Sequence, residues 1–283
     1  MKSIGIVGQG FVGSAVKAGL ENFFQIETFD LIKEKSTCKS IQELVDKTNT
    51  IFVCIPTPMN KDGSCYTGFV DKVLDELNQA AHFDGMGYVT LNIAIKSTIP
   101  PGTTELFNKK YNALNIVFNP EFLTEANAIN DFKNQNRIII GGPRPASTKF
   151  RQIYSKAFPK VKIIKTGSAT AEMVKYLTNC FLAMKVSFAN EMYQICDKLE
   201  VDYDKVVEYA QHDDRLGYSH WNVPGPDGDF GYGGHCFPKD VQALIQVAMS
   251  LNVDPRMLMS THLKNEQVRK NRDWEGMEGR AVV

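Results

Sequence analysis

The stretch "SIGIVGQGFVGSAVKAGLEN", residues 3–22, decides the fold. Ile4, Ile6 and Val7 make a short β-rich run, and the residues from Phe11 onward read as a helix. Between the two stand Gly8, Gly10 and Gly13. In a strand–turn–helix unit each glycine has its own task. Gly8 allows the tight turn, Gly10 lets the backbone approach a pyrophosphate, and Gly13 lets the helix pack on the sheet. The phosphates would meet the amides of the helix N-terminus, where Phe11 and Val12 also lie. "IETFD" is a second strand, closed by Asp30. A carboxylate there can hold both hydroxyls of an adenosine ribose and would repel a 2′-phosphate. An ordinary turn explains the glycines singly, and a surface turn explains Asp30 singly. Their conjunction in one strand–helix–strand unit predicts a dinucleotide site that prefers NAD to NADP.

The same alternation continues outward from this unit. "TIFVCIPTP" is a third strand leaving into a proline-rich loop, and "TGFVDKVLDELNQAA" is an amphipathic helix. "YVTLNIA", "LNIVFNPEF", "NRIIIGG" and "KVKIIKTG" supply further strands. Strands spaced by helices predict a mostly parallel sheet with helices on both faces. Near residue 168 the pattern changes to one long helical run, 168–199, of a length that suits a spine between domains or subunits. Helices follow in "VDYDKVVEYAQH", "KDVQALIQVAMSL" and "PRMLMSTHLKNEQVRKN", with a Gly/Pro-rich loop over 217–238. The expected fold class is α/β: an N-terminal Rossmann-type parallel sheet, then an all-helical domain reached by a long interdomain helix. The expected domains are 1–167 for NAD, 168–272 helical, and 273–283 a linker and a strand whose partner sheet is not apparent.

Composition excludes several classes. Hydrophobic residues make up 43% and charged residues 23%, with 32 basic and 32 acidic side chains, so nothing favours a nucleic-acid partner. The Lys/Arg-rich stretch 264–280 is interrupted by acids and reads as a solvated helix surface. No apolar run is long enough for a membrane span, and the chain enters its first strand without a leader-like segment, which predicts a cytoplasmic protein. The six cysteines are scattered, and with five histidines they form no metal-binding cluster. They read as thiols, mostly small apolar fillers.

Cys236 is the exception. "GGHCFPKD", residues 233–240, sets it just before a helix with Pro238 at its first position. A thiol there feels the positive end of the helix dipole, and Lys239 adds a cation; both favour thiolate. Asp240, four residues on, could orient a water or hydroxyl, and Gly231, Gly233 and Gly234 would keep the approach open. Elsewhere, "CIPTP" places Pro56 and Thr57 at the carboxyl end of a strand, and "KSTIPPG" places Thr98 likewise; each is a cofactor-side candidate or simple loop punctuation. Glu121 and Glu125 are four apart, so a helical turn would put them on one face, either as a base or as a solvated helix start. Lys175 and Asn179 are also four apart. They either steady a developing oxyanion together, or Lys175 sends its ammonium to solvent. NAD, a nucleophilic cysteine and a carboxylate base together suggest an alcohol or aldehyde carried to a carboxylate through a thiohemiacetal and a thioester.

The stretches "GIVGQGFVG", "CIPTP", "KSTIPPGTT", "NPEFLTEANAINDF", "AEMVKYLTNCFLAMKVSFANE" and "GYGGHCFPKD" resemble, in the same order, the UDP-glucose/GDP-mannose dehydrogenase family. "PGPDGDFGYGGHCFPKD" is more similar to the branch acting on UDP-glucose. The resemblance implies four-electron oxidation of a nucleotide sugar at C6 with two NAD. It implies Cys236 as the covalent residue, Lys175 and Asn179 as the oxyanion pair, and Asp240 as positioning water. It implies Glu125 in thioester hydrolysis and Thr98 near the nicotinamide, with Glu125 and Lys239 also on the cofactor side. Glu121, Phe122, Leu123, Gly233 and Arg215 fall at substrate-binding positions. A homodimer through the 168–199 helix is implied too. Family members continue into a third domain that grips the nucleotide, and "GRAVV" resembles its first strand. Other readings are an enzyme for a different nucleotide sugar, a two-electron alcohol dehydrogenase, and an NAD-binding protein without turnover.

Overall fold

The structure, a computed structural model, describes residues 3–81 and 90–283. The start of the expected strand "YVTLNIA", Tyr88 and Val89, lies outside them. The chain divides into two compact units, one of Met1–Thr57 and Thr67–Lys175, the other of Pro58–Tyr66 and Tyr176–Val283. The expected division at 167/168 thus differs from the observed one, which falls inside a helix and assigns a short excursion after the third strand to the second unit.

The first unit opens with β1 (Ile4–Val7), α1 (Phe11–Leu20), β2 (Ile26–Phe29), α2 (Ile41–Lys47) and β3 (Thr50–Val53). It continues through α3 (Gly68–Ala80), β4 (Leu91–Ile95), α4 (Thr103–Lys110) and β5 (Leu114–Phe118). α5 (Ala128–Lys133), β6 (Arg137–Gly141), α6 (Ala146–Ala157) and β7 (Lys162–Thr166) complete the sheet. The strand order is β2-β1-β3-β4-β5-β6-β7. Every pairing is parallel except β5 with β6. β1 and β3 are buried along their whole length, as strands covered on both faces are. Side chains alternate between two cores. Ile51 and Val53 join Leu44, Leu74, Leu77 and Phe107 from α2, α3 and α4 on one face. Phe52 joins Ile4, Ile6, Val16, Leu20, Phe132 and Phe150 from β1, α1, α5 and α6 on the other. The strand order reverses direction at β1 and β3, so the crevice for a ligand lies at their carboxyl ends.

α7 (Ser168–Lys198) begins in the first unit and ends in the second. α8 (Tyr203–Ala210), α9 (Phe237–Ser250) and α10 (Arg256–Val268) follow. Tyr176, Cys180 and Ala183 of α7 pack on Tyr232, Val241, Ala243 and Ile245. Asp202 caps α8 by accepting from Lys205 N. The excursion 58–66 closes on itself through a Met59–Cys65 bridge, and Met59 also pairs with Val282. "GRAVV" therefore finds its partner in this excursion, as isolated bridges rather than a regular strand. Among the described residues no helix is long and apolar enough to cross a membrane.

Candidate functional site

The glycine turn has the geometry a phosphate cradle requires. Gly8 has φ +88°, and a Cβ there would stand 2.5 Å from the carbonyl oxygen of Cys54. A Cβ on Gly13 would stand 1.9 Å from the Gly8 carbonyl oxygen. A Cβ on Gly10 would meet open space among the described residues. This open side faces the start of α1, which has no capping side chain and no acid in its first turn. The residues fit a pyrophosphate held by backbone amides and the helix dipole. Asp30 is pinned beside the same turn: its Oδ2 accepts from Gln9 N at 2.5 Å and its Oδ1 from Ile32 N at 2.8 Å. The loops leaving β3 and β4 are tied together as well. Thr57 Oγ1 donates to the Thr98 carbonyl at 2.7 Å, and Ser97 Oγ to the Ile55 carbonyl at 2.5 Å. Both threonines are buried, while Pro56 is exposed.

Glu121 and Glu125 do not share a helical face, contrary to expectation. Residues 119–124 are irregular, and Glu125 opens a short 3-10 turn, Glu125–Asn127, with an exposed side chain. The cause is local. The Glu121 carboxylate turns back to accept from Leu123 N at 2.7 Å, a bond that competes with the helix. Its other oxygen takes a 2.8 Å bond from Lys175 Nζ, which also donates to the Glu121 carbonyl at 2.8 Å. Phe122 places its ring 5.7 Å from that ammonium, and Leu123 is half-buried. Lys175 is 3% exposed, so it is a buried, paired cation and does not reach into solvent. Burial pushes the Glu121 carboxyl up, but Lys175 and the hydrogen bonds outweigh it and hold it below the usual range.

Two further buried charges were not singled out from the sequence. Lys96 follows the apolar strand β4 and donates to Asn119 O, Asn119 Oδ1 and Pro120 O at 3.0, 3.1 and 3.4 Å. Burial pushes its ammonium down to about 8 against the pull of Cys54 and Glu121. The signal was its place directly after a run of apolar residues inside "KSTIPPG". Glu172 is fully buried and accepts from Gly102 N, Thr104 N and Thr104 Oγ1 at 2.6, 2.8 and 2.6 Å. It caps α4, whose own N-cap is a glycine. Burial pushes its carboxyl up.

In the second unit, Cys236 is the N-cap of α9. The helix starts at Phe237, so Pro238 is its second residue rather than its first. Asp240 is 1% exposed and binds on both sides: Oδ2 accepts from Asn179 Nδ2 at 2.6 Å, and Oδ1 from Lys239 Nζ at 2.5 Å. Burial pushes the Lys239 ammonium down, but Asp240 and the nearby sulfurs of Cys236 and Cys65 hold it above its ordinary range. A cation is therefore within electrostatic reach of the thiol. Gly231 and Gly233 do not keep an approach open: a Cβ on Gly231 would meet Asn265 Oδ1, and one on Gly233 would meet Arg269 and Asp273. Gly234 alone of the three has free space. Arg215 lies apart, with an 88% exposed side chain paired to Asp213. Arg269 corrects the reading of 264–280 as a solvated surface, because its side chain is 1% exposed.

Residues 31–158 match the NAD binding domain of the UDP-glucose/GDP-mannose dehydrogenase family, and residues 169–267 match that family's central domain. The UDP-glucose 6-dehydrogenase of Pseudomonas aeruginosa is 32% identical over 259 residues, 87% of this chain and 54% of the relative. The fold superposes on a UDP-glucose dehydrogenase from Pyrobaculum islandicum with a TM-score of 0.84 at 27% identity, covering 94% of this chain and 68% of that one. A GDP-mannose dehydrogenase from Pseudomonas aeruginosa gives a TM-score of 0.68 at 26% identity, covering 95% and 69%. The chain spans 49–64% of the length of the curated relatives it matches.

Proposed function

The chain belongs to the UDP-glucose/GDP-mannose dehydrogenase family, and from that premise we propose that it oxidises the C6 alcohol of UDP-glucose to the carboxylate of UDP-glucuronate. The observation that carries this reading is the thiol end of α9: Cys236 at the N-cap, with Lys239, Asp240 and Asn179 joined behind it. An N-cap thiol beside a buried cation is set up for nucleophilic attack, a property that binding alone does not need.

The dinucleotide would be held by Gly8, Gly10, Phe11, Val12, Gly13 and Asp30, with Pro56, Thr57 and Thr98 beside the nicotinamide, and it supplies the hydride acceptor. As the sugar alcohol loses hydride and releases its hydroxyl proton to solvent water, Lys175 and Asn179 stabilise its oxygen. Glu121 keeps the Lys175 ammonium fixed and charged for that task. The Cys236 sulfur adds to the aldehyde carbon to give a thiohemiacetal. Loss of the second hydride leaves a thioester on Cys236. Asp240, fixed by Asn179 and Lys239, positions water for attack on that thioester; Glu125 takes the water proton as the C–S bond breaks, releasing the carboxylate and the Cys236 thiolate. The sum is alcohol plus two NAD⁺ plus water giving carboxylate, two NADH and three protons. Glu121, Phe122, Leu123 and Gly233 supply sugar contacts.

A second copy of the chain completes the proposal. Leu177, Phe181, Phe188 and Ile195 stand at spacings of four, seven and seven on α7 and are 64%, 56%, 49% and 45% exposed. That stripe is the seam of a helix-to-helix homodimer.

Replacing Cys236 by serine tests the covalent role. The variant is expected to bind NAD as before and to lose acid formation by orders of magnitude. Intact mass after rapid quench of the wild type with UDP-glucose is expected to show an acyl adduct on Cys236. Full acid production by the serine variant would overturn the proposal.

A further inference from the structure

The guanidinium of Arg269 is buried at the end of α10 and gathers carboxylates from two directions. Nη1 lies 2.7 Å from Asp227 Oδ2, and Nε lies 3.6 Å from Asp229 Oδ2. Nη2 lies 3.4 Å from Asp273 Oδ1, and Nε donates to the Asn271 carbonyl at 2.7 Å. Asp227 and Asp229 belong to the loop before Cys236, and Asp273 to the short turn after α10. The two sides are joined again without the arginine. Gly234 N donates to the Asp273 carboxylate at 3.1 Å, and Asn271 N to Asp229 Oδ2 at 3.0 Å. The Cβ that Gly233 lacks would sit in the Arg269–Asp273 contact. Just upstream, Asn265 of α10 accepts from Tyr232 N at 2.7 Å and donates to Tyr232 O at 3.0 Å. Gly231 N donates to Asn190 of α7 at 3.1 Å. Backbone amides from Gly231, Tyr232 and Gly234 are thus held by side chains from other elements, two to five residues ahead of the thiol.

We infer that Arg269 and Asp273 are positioning residues for Cys236: they clamp the glycine loop that fixes where the N-cap of α9, and with it the thiol, stands. Neither touches a reacting atom. They act through the Gly233–Gly234 backbone, and the acidic stretch "PDGD", residues 226–229, is the other jaw of the clamp. A buried guanidinium lying 2.7, 3.6 and 3.4 Å from three carboxylates is suited to this because its charge is spread over a plane that meets all three, whereas a lysine offers one compact point charge. The inference rests on the proposed reaction for its catalytic consequence, but not for its geometric one.

The test therefore has two arms, on the full chain, for Arg269→Met, Arg269→Lys and the milder Asp273→Asn. In the first arm, iodoacetamide labelling of Cys236 is followed by peptide mass spectrometry, with buried Cys54 and Cys180 as internal references and NAD binding as the check that the first unit is intact. Labelling at Cys236 alone is expected to change by about tenfold in Arg269→Met, and by less in Arg269→Lys and Asp273→Asn. In the second arm, NADH formation is expected to show a kcat lowered by about tenfold with the KM for NAD within about twofold of wild type. If Arg269→Met fails to fold, Asp273→Asn decides. Labelling of Cys236 within about twofold of wild type in every folded variant overturns the clamp. A wild type that makes no NADH while Cys236 labelling still responds would sink the proposed reaction and leave the clamp standing.

Discussion

Asp30 has one oxygen bonded to Gln9 N and the other to Ile32 N, and each oxygen retains acceptor capacity for a ribose hydroxyl. Asp30→Ala removes those acceptors and the negative charge that would repel a 2′-phosphate there. NAD affinity is expected to fall by about 2 kcal/mol, and the preference over NADP to narrow; titration of each dinucleotide into wild type and variant measures both. Equal binding of NAD and NADP by the wild type would count against Asp30 as the ribose ligand. Lys96 makes a different kind of statement. Its pKa near 8 when folded lies below the ordinary 10.5. Between those values the unfolded chain binds more protons than the folded one, so stability rises with pH across that window. The rise amounts to about 3 kcal/mol. Lys96→Met is expected to flatten it, as read from urea midpoints between about pH 7 and pH 10.5. Parallel pH profiles for the two proteins would show that Lys96 is not the group responsible.

Whole elements were legible in the sequence where the signal is local. The glycine turn announces β1 and α1, the long periodic run announces α7, and Pro238 with the residues after it announces α9 within one position. α2, α4, α5 and α6 carry no expectation of their own; in α2 and α5, seven and six residues hold barely two turns of pattern, and α2 is marked mainly by its Ser40 cap. The site was less legible for a related reason. Cys236, Lys175 and Asp240 stand out by their neighbours in the chain. Lys96, Glu172 and Arg269 do not, since what makes each unusual is burial against residues far away in sequence. Glu172 meets Gly102 and Thr104, and Arg269 meets Asp227. The same blindness turned Gly231 and Gly233 into imagined open space. For α7 the exposed stripe makes its own prediction. Phe181→Glu is expected to shift the protein to monomer in sedimentation velocity with NAD affinity unchanged. A wild type that sediments as a monomer at all concentrations would remove the seam.

At the scale of the molecule, the two units each contain part of the proposed site's residues. The first holds the Gly8–Gly13 turn, Asp30 and the Glu121–Lys175 pair; the second holds Cys236 and the Asn179–Asp240–Lys239 group. A two-electron dehydrogenase needs the first set alone, and a cysteine serves only the second oxidation. The ratio of NADH formed to sugar consumed therefore tests the central claim most directly. Limiting UDP-glucose is incubated with excess NAD to completion, with GDP-mannose and UDP-N-acetyl sugars in parallel, and each product is identified by mass. Two NADH per UDP-glucose, with the sugar carboxylate as product, is the expected result. One NADH per sugar with an aldehyde product, or none from any of these sugars in protein shown to bind NAD, would contradict it.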